Sequence, residues 1–170
     1  MMKVLGLLTA FVLAQSAHAA DIAVKGRSYN DCGYPTAVQG DAEVTYKNTE
    51  LPWGSRVFLV SGLSGTENVF VDGTYVTRAL DWRDRQEEEL SSTSAWTWSG
   101  QRHAELAFRG RNYLFDAVQF VIRVVLPNGE SFYDNGGQSR WGYYQAEFPA
   151  RQCAENEPGL QPLEVRVVNR

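Results

Sequence analysis

Few residues of this chain could take part in covalent chemistry, and their scarcity is informative. The sequence has two histidines, and His18 lies in the N-terminal stretch expected to be cleaved off, so His103 is left to serve any Ser-His-Asp arrangement. His103 opens an apparent strand, and no nucleophile-elbow motif stands anywhere in the chain, so a surface or edge histidine is the simpler reading. One histidine and two cysteines do not make the four-ligand set of a zinc site. A pair of carboxylates could hydrolyse a glycoside, but that needs two acids at a set separation in a cleft, and no spacing here marks such a pair. Asp72-Gly73 and Asp134-Asn135-Gly136 offer hard oxygen ligands, yet neither has the alternating acidic spacing of a calcium loop, and turn formation explains both. The expectation is a protein that is not an enzyme and uses no cofactor or metal.

The aromatic residues carry a different chemistry. Trp53 precedes Gly54, Trp82 precedes a charged run, and Trp141 precedes Gly142, so each ring sits beside polar or glycine residues in a segment that reads as a loop. Exposed planar rings flanked by amides and carboxylates suit sugars, whose C–H faces stack on rings while their hydroxyls need fixed polar partners. Burial competes for these residues, since a β domain commonly encloses a tryptophan or two and lines its edges with tyrosines, so two or three rings at most are expected to act.

The chain opens with the signature of an export segment: Lys3, the apolar run Val4 to Ala14, and Ala17-His18-Ala19, a small-x-small cleavage pattern. Residues 1–19 are therefore expected to be a signal peptide, with cleavage after Ala19 and a periplasmic or extracellular destination. The apolar run is far shorter than the roughly 20 residues that span a bilayer, so no membrane span is expected. Residues 20–170 have the size of one domain with a real core. With 16 basic residues against 20 acidic ones, clustered positive charge for nucleic acid or an anionic membrane is missing. Cys32 and Cys153 lie near the two ends of that domain, and in an oxidising compartment they are expected to bridge.

Strand signals recur between turn residues, and no helical periodicity extends over three turns. Strands are expected at 42–47, 56–61, 73–78, 103–108, 118–126, 130–133, 143–148 and 163–168. In the fifth of these, Phe120, Ile122 and Val124 share a core face, with Gln119 and Arg123 opposite; Pro127-Asn128-Gly129 then turns into the next strand. The charged run 81–94 reads as an exposed loop or a short helical turn, and the stretch 155–162 as linker-like. Short strands of this kind predict an all-β, immunoglobulin-like antiparallel β-sandwich with one disulfide, with a barrel as the alternative.

The segment order resembles the starch- and glycogen-binding carbohydrate-binding modules of family 21. Ala42-Glu43-Val44-Thr45-Tyr46-Lys47-Asn48 and Trp53-Gly54-Ser55-Arg56-Val57-Phe58-Leu59-Val60 are similar to two early strands of that family. Val118-Gln119-Phe120-Val121-Ile122-Arg123, then Asn128-Gly129-Glu130-Ser131-Phe132-Tyr133-Asp134-Asn135-Gly136-Gly137, resemble its later strand, hairpin and Trp-Asp-Asn ending. Tyr133 stands where the family has tryptophan, and Trp141-Gly142-Tyr143 follows where it has Asn-Tyr. The resemblance implies non-catalytic binding of α-glucan, with Tyr133, Trp141 and Tyr143 stacking on sugar. Asp134 and Asn135 would hold the loop or a hydroxyl. The competing expectation is an envelope or secreted domain of the same fold that recognises or inhibits a protein. A polysaccharide or a protein is thus the expected partner, and a monomer the expected state.

Overall fold

A computed structural model describes residues 20–31, 37–108, 113–135, 142–148, 160–163 and 166–169. The expected signal segment 1–19, both cysteines, Cys32 and Cys153, and Trp141 lie outside the described residues.

The chain forms β1 (Asp21–Asp31), β2 (Ala37–Lys47), β3 (Arg56–Val71), β4 (Thr74–Glu89), β5 (Ser91–Ser94), β6 (Thr97–Phe108), β7 (Tyr113–Val125), β8 (Ser131–Asp134), β9 (Tyr144–Glu147), β10 (Leu160–Leu163) and β11 (Arg166–Asn169). Every pairing is antiparallel. One sheet runs β10-β1-β2-β6, with β5 beside β6; the other runs β4-β3-β7, with β8 and β9 in succession along the free edge of β7 and β11 outside β9. Among the described residues the two are joined through the pair Ala107 with Leu114, and the chain is all-β with two antiparallel sheets. No helix among the described residues is long and apolar enough to cross a membrane.

Alternation builds the core. Ala42, Val44 and Tyr46 of β2 are buried, and so are Val118, Phe120, Ile122 and Val124 of β7. One cluster joins Val44, Tyr46 and Trp98 of the first sheet to Val57, Leu59, Phe120, Ile122 and Tyr144 of the second; a smaller one joins Ala42 and Ala104 to Leu63, Val118, Ala146 and Phe148. Each cluster draws from both sheets, so the two layers face each other across a shared interior. The Phe120 and Tyr144 rings stack with centroids 5.2 Å apart. Burial pushes the Tyr144 hydroxyl up to about 12, and the nearby Asp134 charge acts in the same direction.

The strands outrun their sequence-based bounds in one region above all. The charged run 81–94 is not a loop: it completes β4 and supplies β5. Alternation fails as a guide there because β4 is an edge strand, exposed along nearly its whole length, where charge on both faces is tolerated. Its carboxylates have cross-strand partners. Glu89 accepts from the Arg56 Nε at 2.8 Å and Glu87 from the Arg123 Nε at 3.0 Å, with both guanidinium groups lying over the Phe58 ring. β1 is not expected from the sequence, and β10 falls mostly in the linker-like stretch 155–162; they pair with each other at the edge of the first sheet.

The hairpin between β3 and β4 turns on Asp72 (φ 48°) and Gly73 (φ 84°), the pair of positive φ values that suits the twist of a two-residue turn. The turn after β7 matches its sequence signal, with the Gly129 N–H donating to the Leu126 carbonyl at 2.9 Å.

Candidate functional site

The face of the second sheet that points away from the core is set by β7. Phe120, Ile122 and Val124 point inward, so Gln119, Val121 and Arg123 point outward. β8 places Tyr133 directly across from Arg123, and β9 places Gln145 across from Gln119. Tyr144 is buried on Phe120, so the preceding Tyr143 turns outward, to the level of Val121. Tyr133 and Tyr143 thus flank the same edge of β7 on one face, about 7 Å apart at two residues of strand rise.

A third ring reaches this face from the opposite side. Between Ser61 and Gly65 of β3 the pairing with β4 slips twice, from Ser61–Gln86 to Leu63–Arg83 to Gly65–Leu80, so β4 carries two extra residues. Both bulges raise Trp82 (φ 50°) and Asp84 (φ 47°) into the left-handed region, which costs a bulky residue roughly 1–2 kcal/mol and persists where the surroundings hold it. Trp82 is held by Gln119. The Trp82 N–H donates to Gln119 Oε1 at 2.9 Å, while Gln119 Nε2 donates to Asp81 Oδ1 at 3.0 Å. Gln119 is only 1% exposed, so it is a strut under the ring, not a polar group on offer to a ligand. The ring itself meets Tyr143 edge to face, with centroids 5.7 Å apart.

Gly62 makes this approach possible. A Cβ there would lie 2.8 Å from the Trp82 Cα and 3.1 Å from its Cε3. Gly62→Ala is therefore expected to lift Trp82 off the sheet and cost about 2 kcal/mol, the range of overpacking a close contact. Denaturant unfolding together with the near-ultraviolet dichroism of the tryptophans would check this, and an unchanged spectrum would contradict it.

Arg102 anchors the same bulge from the other layer. It is 6% exposed on the inward face of β6, and its Nη2 donates to Asp84 Oδ2 at 2.7 Å and to the Asp84 carbonyl at 3.2 Å. Its Nε has no hydrogen-bond partner. Trp82 and Asp84, two residues apart, are thus tied to different sheets.

The residues singled out from sequence separate into two groups. Tyr133, which is 56% exposed, and the half-buried Tyr143 share the aromatic face. Asp134 and Asn135 make hydrogen bonds within the protein. Asp134 lies across from Ile122 on the other side of β8, where the buried Tyr46 hydroxyl donates to its Oδ2 at 2.9 Å. Burial, foremost, raises the Tyr46 pKa well above a phenol's ordinary value. Asn135 Nδ2 donates to the Gly142 carbonyl at 3.2 Å, joining the residue after β8 to the approach to β9. Trp82 was read with a charged loop, and its place in the site rests on two signals: a glycine inside β3 and a glutamine on β7. Trp53 is 91% exposed in the connection from β2 to β3, at the end of the strands and not on this face.

His103 pairs with Asp41 at 2.6 Å on the first sheet, near a cleft of about 170 Å³ lined by Lys25, Asp41, Glu43 and Gln101. Among the described residues no aromatic ring lines that cleft. Among the described residues no group of three or more histidine, cysteine or acidic side chains could hold a metal ion.

Comparison of the chain with family models, curated proteins and solved structures gives no match in any of the three.

Proposed function

We propose that the protein is an exported, non-catalytic glycan-binding domain that holds an α-glucan chain on the outer face of its second sheet. The observation that carries this reading is the gathering of Trp82, Tyr143 and Tyr133 on one face, fed by three different strands and connections and supported by the buried Gln119, which holds the backbone of Trp82 and the carboxylate of Asp81. A row of half-exposed rings beside the Arg123–Glu87 pair offers stacking surfaces and charged hydrogen-bonding groups side by side, which is what sugar faces and sugar hydroxyls require. The likeness of the hairpin segment to starch- and glycogen-binding modules of family 21 selects α-glucan among glycans, and Trp141 joins the stacking set on that likeness alone.

In this reading the two sheets form an immunoglobulin-like sandwich, closed by a Cys32–Cys153 bridge and working in the periplasm or outside the cell. Intact mass after alkylation without reductant checks the bridge: no label is expected, and two labelled thiols would remove it. The function is tested by pull-down of the purified protein on insoluble starch, glycogen-coated resin, cellulose, chitin and peptidoglycan. Retention on the α-glucans alone is the expected result. Retention on none would transfer the aromatic face to a protein partner, the reading favoured by the exposed Phe70 and Tyr75 at the hairpin tip.

A further inference from the structure

The edge strand β4 is guarded unevenly. From Asp81 to Glu89 it carries Asp81, Arg83, Asp84, Arg85, Glu87, Glu88 and Glu89 and both bulges, the devices by which edge strands avoid pairing with other chains. From Thr74 to Leu80 its register with β3 is continuous, and Arg78 is the one charge. Among the described residues β4 has a partner on one side only, and the described pairing of β3 with β7 runs as far as Glu67 with Tyr113. The tip half of the hairpin is not a frayed end. Phe70 and Tyr75 meet edge to face with centroids 5.1 Å apart, and the Thr77 hydroxyl donates to Asn68 Oδ1 at 2.8 Å. Tyr75 is 73% exposed and Phe70 61%.

We propose that this half-strand pairs with a second copy of the same chain, antiparallel and two-fold symmetric about Thr77. In an isologous antiparallel pairing the residue numbers of opposed positions have a constant sum, so centring on Thr77 fixes every contact. Tyr75 then faces Ala79 of the second copy, a large side chain against a small one. Thr77 faces Thr77, a cross-strand pair that favours hydrogen bonding. Val76 faces Arg78, so the aliphatic stem of the arginine covers the valine and the two Arg78 charges never oppose each other. The same register brings Asp72 of the turn to the level of Trp82, beside Arg83 of the second copy, acid against base. The bulges at Trp82 and Asp84 bend β4 away beyond that point, which ends the pairing and confines it to the unguarded half.

So short an edge contact makes a weak dimer, below the size of a permanent interface. Its two-fold axis stands perpendicular to the extended sheet, so both aromatic faces look the same way. That consequence, unlike the dimer itself, rests on the glycan reading: two faces on one chain of sugar raise retention on a polymer without raising affinity for a short oligosaccharide.

Charge substitutions at the two opposed positions test the register. Sedimentation equilibrium of the purified protein over a concentration series should show a monomer–dimer equilibrium. Val76→Lys, which sets a lysine against Arg78 twice per dimer, should raise the dissociation constant at least about tenfold, while Val76→Glu should lower it. Val76→Lys combined with Arg78→Glu should restore wild-type dimerisation. Both positions are exposed, and unchanged melting temperatures confirm that each variant folds. A wild-type chain that stays monomeric up to about 1 mM, where only associations weaker than the millimolar range escape, would overturn the proposal. So would a dimer that responds equally to Val76→Lys and Val76→Glu, or one that the double variant fails to restore.

Discussion

Replacing Tyr133 and Tyr143 together by alanine is expected to lower affinity for a soluble α-glucan by about a hundredfold, each ring supplying about 1.4 kcal/mol, or tenfold. The stability cost should be much smaller. Tyr133 is more than half exposed, so its loss removes little buried area. Tyr143 forfeits its edge contact with Trp82, worth about 0.5–1.5 kcal/mol, and the melting temperature should fall by only about 2–5 °C. Tyr133→Phe keeps the ring and removes the hydroxyl, so it should retain affinity to within about threefold if stacking dominates. Calorimetric titration of the three proteins separates the cases. A double variant that binds as the wild type does would move the ligand to another surface.

The second large effect concerns the tie between the layers. Asp84→Ala is expected to destabilise the protein by about 3 kcal/mol, although Asp84 is itself 61% exposed and an ion pair at such a surface site usually contributes at most about 1 kcal/mol. The larger figure comes from the other partner. Arg102 is buried on the inward face of β6 with its Nε already unpartnered, and without Asp84 its charge remains in the interior with little to compensate it. The pair should therefore be strongly non-additive. Arg102→Met combined with Asp84→Ala replaces the buried charge by an apolar side chain of similar length, and it should recover most of the loss. Urea unfolding of both single variants and the double one gives the coupling directly. Values that simply add would mean that Arg102 is solvated or paired elsewhere. Because Asp84 lies two residues from Trp82 on the same bulged segment, Asp84→Ala should also weaken glucan binding, whereas the Tyr133 substitution should leave the clamp intact.

The sequence foretold the layers better than it foretold the site. The alternation of Phe120, Ile122 and Val124, the Asn128-Gly129 turn and the β2 pattern around Val44 all survive in the structure because strand period and burial agree there. The run 81–94 misled because edge strands answer to cross-strand partners. Nothing local in Glu87 or Glu89 announces Arg123 or Arg56. Arg102 breaks the alternation of β6, where Trp98 and Ala104 on the same face are apolar, and a charge in that position signals a partner without saying where it lies. Tyr133 and Tyr143 were legible as rings near turns. Their company was not, since Trp82 comes from a bulge whose close approach to β3 depends on a glycine twenty residues earlier in the chain. Asp134, beside Tyr133 in the chain, belongs to the opposite side of its strand, which period-2 reasoning allows but a motif read as a unit obscures.

The central claim is that an α-glucan lies against Trp82, Tyr143 and Tyr133. Intrinsic tryptophan fluorescence, titrated with a linear α-1,4-glucan oligosaccharide in the wild type and in Trp82→Phe, tests it most directly. A saturable change in the wild type that is clearly smaller in Trp82→Phe, while that variant keeps its melting temperature to within a few degrees, is the expected result. A saturable change of the same size in both proteins, or none in the wild type, would contradict it.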